Sequence, residues 1–77
     1  MKAANLIKMA NQIGAFFDAM PNREQAVKDV AAHIQRSWEP RMRTSLLQHV
    51  AQNGDAELSP IVREALPLVK IAELNSN

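Results

Sequence analysis

Any chemistry in this chain has to come from a short inventory of side chains. The hydroxyl candidates are Ser37, Thr44, Ser45, Ser59 and Ser76, and none lies in a nucleophile elbow or beside a base at motif spacing. Glu24, Glu39, Glu57, Glu64 and Glu73 include no pair placed by a recognisable acid–base motif. The two histidines, His33 and His49, are too far apart in sequence to make a local metal motif, and with no cysteine there is neither a thiolate ligand nor a disulfide. The two glycines, Gly14 and Gly54, stand in unrelated settings, which rules out a glycine-rich phosphate loop. The inventory predicts no catalytic, cofactor-binding or metal-binding residue in this chain.

Recognition chemistry is more visible. Ser37-Trp38-Glu39-Pro40-Arg41-Met42-Arg43 holds the only tryptophan, and Arg36, Arg41 and Arg43 surround it. Tryptophan and arginine are over-represented among residues that dominate interface energy, so Trp38, Arg36, Arg41, Arg43 and Met42 are the candidate partner-binding residues. Two readings stay open: the indole forms a contact surface with the guanidinium groups, or it fills the core while the arginines are solvated. Arg43 is anomalous, since on a helical wheel it falls among Val50 and Leu47, where a cation must be paired or snorkel. Glu39, four residues earlier, offers an ion pair within the chain, and a carboxylate on another chain is the alternative.

These residues are positioned by helices. Leu6, Met9, Ala10, Ile13, Phe16, Phe17 and Met20 recur at helical spacing and predict a first helix from about Ala4 to Ala19, with that stripe as its strong face. Ile7, Gly14 and Ala3 form a second strip that either admits another helix closely or carries Gly14 as a tolerated cost of about 1 kcal/mol. After Met20-Pro21, Asn22 with Gln25 has the form of a capping box and opens a second helix with Val27, Val30, Ala31, Ile34 and Trp38 on one face and His33 at its edge. Pro40 ends that helix near Glu39 and starts a third, carrying Met42, Leu46, Leu47 and Val50, with His49 at its surface or edge and Asn53-Gly54 as a stop. Ser59 and Pro60 cap a short fourth helix that Pro67 breaks or kinks. No run alternates with a strand period, so the expected fold is all-α: a small bundle of three main helices plus a short C-terminal helix.

Residues 1–77 read as a single small helical domain whose tail, from about residue 67, is extended or disordered. A chain of 77 residues is marginal on its own core, and Ile7, Val69, Ile71 and Leu74 look surplus to it, suited to another surface or to a frayed final helix. Nine basic and eight acidic residues give a net charge of +1 without a block of one sign, which argues against strong nucleic-acid binding. A small helical nucleic-acid module remains an alternative, as does a free helical adaptor, but Glu39-Pro40 joins its helices too directly for a helix-turn-helix. No apolar run approaches the ~20 residues that span a bilayer, and polar Asn5, Asn11 and Gln12 interrupt the amino-terminal stretch as no signal peptide would allow. The expectation is a cytoplasmic protein with no membrane or nucleic-acid partner.

Three segments carry a resemblance. Asn5-Leu6-Ile7-Lys8-Met9-Ala10-Asn11-Gln12-Ile13 with Phe16-Phe17, then Ala31-Ala32-His33-Ile34 leading to Trp38-Glu39-Pro40-Arg41-Met42-Arg43, then Leu58-Ser59-Pro60-Ile61-Val62-Arg63-Glu64-Ala65-Leu66 appear in this order. Together, from about Asn5 to Leu66, they resemble the delta subunit of soluble NAD-dependent formate dehydrogenases. The resemblance implies a non-catalytic accessory subunit that stabilises or helps assemble a larger complex. In such a complex the alpha subunit, the expected partner, carries a molybdenum or tungsten bis-pterin guanine dinucleotide and iron–sulfur clusters. Other subunits pass electrons through further clusters and FMN to NAD.

Overall fold

The computed structural model describes residues 2–69. The expectations placed on Ile71, Leu74 and Asn75-Ser76-Asn77, and the candidates Glu73 and Ser76, lie outside them. Four α-helices follow in order, α1 (Ala3–Phe17), α2 (Arg23–Ser37), α3 (Pro40–Asn53) and α4 (Pro60–Ala65), then a 3-10 turn over Leu66–Leu68, with no strand among the described residues. The helix breaks fall where proline, asparagine and glycine place them.

Asn22 accepts a hydrogen bond from the Gln25 amide at 2.9 Å and so caps α2, satisfying one of the first-turn N–H groups. Only half of a capping box forms, because the Gln25 side chain turns forward to donate to Asp29 instead of back to Asn22. Trp38 and Glu39 both adopt extended dihedrals, the region favoured for a residue before proline in the case of Glu39, and Pro40 occupies the first turn of α3. Gly54 closes α3 at φ 85° and ψ 177°, a region essentially reserved for glycine, and its N–H donates to Val50 O. Pro67 sits in the 3-10 turn that ends α4, as the sequence requires.

Ser59 departs from expectation. It stands before α4 in an N-cap conformation, yet its side chain makes no capping hydrogen bond and its hydroxyl is buried without a partner. Its amide is held by a different residue: the Asn11 carboxamide accepts from Ser59 N at 2.9 Å and donates to Glu57 O at 3.0 Å. One polar side chain in the middle of α1 thus clamps the loop that delivers α4. Arg63 holds that loop from the other side by donating to Leu58 O.

Helix α4 packs across α2 and α1, and α3 packs chiefly on α1. The largest fully buried side chains, Leu6, Val30, Ile34, Leu46, Ile61 and Val62, come from all four helices and meet in one core. The buried face of α1 differs from the expected stripe. Leu6, Ile7, Ala10 and Gly14 are buried, Met9, Ile13 and Phe17 are half-buried, and Phe16 is 76% exposed. The reason is α4, which lies so close to Gly14 that a β-carbon there would stand 2.8 Å from Val62 Cγ2 and 2.9 Å from Ile61 Cγ2. That contact draws the Ile7–Asn11–Gly14 side of α1 inward and turns Phe16 out.

Ile7 and Val69 are therefore not surplus, since both are buried in this chain's own core, each contributing roughly 1.5–3 kcal/mol by the usual transfer scale. Arg23 ties the rim together, pairing with Asp18 after α1 at 2.8 Å and with Glu64 of α4 at 2.5 Å. The hydrogen bond to Glu64 raises the Arg23 pKa from its ordinary value; desolvation opposes it, and Coulomb attraction to Glu64 and Asp18 adds to the rise. All three side chains are solvent-exposed, so the cluster orients the elements more than it stabilises them.

Candidate functional site

The exposed flank of α1 does not end on a flat surface. Met9, Ile13, Phe16 and Phe17 form one wall of a groove, His33 and Ser37 of α2 form the other, and the α2–α3 corner closes one end with Trp38 and Met42. The groove encloses about 570 Å³ and is mostly apolar. Phe16 meets Phe17 edge to face with ring centroids 5.0 Å apart, and Phe17 meets His33 at 6.1 Å. Edge-to-face pairing fixes the Phe17 ring as the hinge between wall and floor.

Trp38 is 5% exposed, so the indole forms the floor of the groove from within the core cluster. Arg43, 7% exposed, is also inside. Its Nη1 donates to Trp38 O at 2.6 Å and to Gln35 O at 3.1 Å. Those carbonyls belong to the carboxyl end of α2, where the last C=O groups have no helical partner and the helix dipole is negative, so a buried guanidinium is well matched there. Arg43 is the brace that holds the corner, and this explains a cation in the apolar arc of α3. The sequence signal was its position in that arc; what could not be read was that it donates to main-chain oxygens at the end of α2.

The remaining sequence candidates separate from these two. Arg36 and Arg41 are exposed, and Met42 is half-buried at the groove's end. His49 lies elsewhere, on α3, half-buried, with Nδ1 3.3 Å from the Asn53 carboxamide and Nε2 3.7 Å from Glu57 Oε1. Among the described residues no group of three His, Cys, Asp or Glu side chains could hold a metal ion, and no helix is long and apolar enough to cross a membrane. Met9, Ile13, Phe16 and Phe17 are the site residues that sequence reasoning assigned to the core; the signal that could have found them was the width of the apolar stripe on α1, broader than one small core covers.

A four-helix domain with an open apolar groove, braced by a buried arginine at its corner, defines a small all-α protein. The model of the NADH-dependent formate dehydrogenase delta subunit family, FdsD, matches residues 5–66, and the chain belongs to that family. The matched span contains all four helices but the first two residues of α1, together with every residue that lines the groove. A delta subunit is one component of a complex with other subunits. No curated protein matches the chain.

Proposed function

We propose that this chain is a non-catalytic accessory subunit that docks on the alpha, catalytic subunit of a cytoplasmic NAD-dependent formate dehydrogenase and stabilises it or assists its assembly. The observation that carries the reading is the family match over residues 5–66. The side-chain inventory supports it: iron–sulfur clusters are held chiefly by cysteine thiolates and this chain has none, so in this reading the clusters are held by other subunits. In this reading the molybdenum or tungsten bis-pterin guanine dinucleotide and the FMN are likewise held by partners. Arg36, Arg41 and Met42 meet the partner directly, while Trp38 and Arg43 shape the same corner from inside.

The helix-turn-helix alternative loses ground on geometry, because only Trp38 and Glu39 separate α2 from α3. The test of the accessory role is to express the larger subunits with and without a tagged copy of this chain. The expected result is that the tagged chain co-purifies with the alpha subunit at fixed stoichiometry, and that omitting it lowers the yield or thermal stability of the assembled enzyme. Larger subunits that assemble with equal yield, stability and metal content in its absence, and never retain it, would overturn the proposal.

A further inference from the structure

Among the described residues, the groove lined by α1 and the α2–α3 corner is an open and mostly apolar surface, and its chemistry narrows what can fill it. Met9, Ile13 and Phe16 on α1 repeat at the spacing of one helix face, and Phe16 is 76% exposed although it is the third member of that row. Met9 and Met42, from different helices, supply unbranched polarizable side chains that adapt to an incoming apolar surface. The polar side chains of the lining, Gln12, His33 and Ser37, are exposed or half-buried, and the rest of the lining is apolar or aromatic, which suits a broad apolar contact.

Charge selects among the macromolecular occupants. From His33 to Arg43 the sequence has three arginines against one glutamate, Glu39. Arg43 is turned inward on the α2 carbonyls, while Arg36, next to the lining residue Ser37 in sequence, and Arg41, next to Met42, are exposed cations. No carboxylate lines the groove. A second copy of this chain is a poor fit, because an isologous contact sets the same patch against itself and would bring the two arginine rims together.

We infer that the groove seats an amphipathic helix of a partner protein, its apolar face on Met9, Ile13, Phe16 and Met42 and its acidic flank on Arg36 and Arg41. Helix-in-groove docking uses anchors at i, i+3 or i+4 and i+7, which the α1 row is spaced to receive. The inference rests on the accessory-subunit reading, in that the partner helix belongs to a larger subunit of the complex.

The test uses the full chain co-expressed with the larger subunits and follows retention on the tagged chain, with the helicity of each purified variant as control. Phe16→Glu should weaken retention by roughly tenfold or more at unchanged helicity, since Phe16 is 76% exposed and is not itself a member of the core cluster. Leu68→Glu, which alters an apolar side chain outside the groove, should retain the partner like the parent chain. The Arg36→Glu/Arg41→Glu double variant should weaken retention at low salt and lose most of the salt dependence of the parent. A photo-crosslinking benzophenone in place of Phe16 should label an acidic amphipathic helix of a larger subunit. Retention unchanged in both Phe16→Glu and the double arginine variant would overturn the groove while leaving the accessory role intact. Crosslinks to a second copy of this chain, or to a partner segment without acidic residues, would overturn the assigned occupant. A parent chain that is not retained at all would overturn both readings.

Discussion

Replacing Gly14 by alanine sets two known effects against each other. In a solvent-facing helix the change would stabilise by about 1 kcal/mol, because alanine is the better helix former. Here the new methyl would stand 2.8 Å from Val62 Cγ2, 2.9 Å from Ile61 Cγ2 and 3.2 Å from Ser59 Oγ. Val62 and Ile61 are β-branched, 0% and 1% exposed, and a β-branched side chain in a helix keeps one strongly preferred χ1 rotamer, so turning the methyls away is itself costly. Relief requires α4 to move off α1, loosening the Asn11 clamp on the 57–59 loop at the same time. Overpacking of this kind costs about 1–3 kcal/mol, and two rigid contacts put it near the top of that range. The net expectation for Gly14→Ala is destabilisation by about 2 kcal/mol. For a domain of this size that lowers the unfolding midpoint by about 8–16 °C. Thermal and urea unfolding of the purified variant measure it. In a double-mutant cycle, Gly14→Ala should cost less in a Val62→Ala background, where the closest clashing methyl is gone. A neutral or stabilised Gly14→Ala would refute the reasoning, since helix propensity would then have won and α4 could not press on α1 as described.

Arg43→Ala removes the donors from the Trp38 and Gln35 carbonyls in a buried setting and should cost roughly 2–3 kcal/mol of stability, read by chemical denaturation, rather than acting on partner binding alone. Trp38→Ala empties the floor of the groove and should cost about 3–5 kcal/mol, enough to leave the isolated chain largely unfolded by circular dichroism. Gly54→Ala meets no steric obstacle but forces a side chain into a positive-φ conformation, so it should destabilise by about 1–3 kcal/mol in the same unfolding assay.

The four breaks, the helical class and the resemblance that the family match now supports were all legible in the sequence. They rest on signals that act over a few residues. Proline disfavours helical dihedrals before it and Glu39 before Pro40 is extended, Asn22 reaches an amide three residues away, Gly54 holds a positive φ, and a 3.6-residue period is a property of one segment. Ser59 shows where even a local signal yields, since its amide was claimed by Asn11 from 48 positions away and its hydroxyl was left facing Gly14. The tertiary structure decided which flank of a wide apolar stripe became core. Periodicity placed Met9, Ile13, Phe16 and Phe17 in one stripe with Leu6 and Ala10, but burial is settled by which neighbour arrives, and on the Gly14 side the missing β-carbon lets the Val62 and Ile61 side chains of α4 press close to α1. The same distinction holds at the corner. Trp38 and the arginines were visible as a cluster worth notice, yet whether Arg43 faced a carboxylate, a partner or solvent depended on the geometry of the α2 end, whose free carbonyls exist only once the helix has formed and the chain has turned back beneath it.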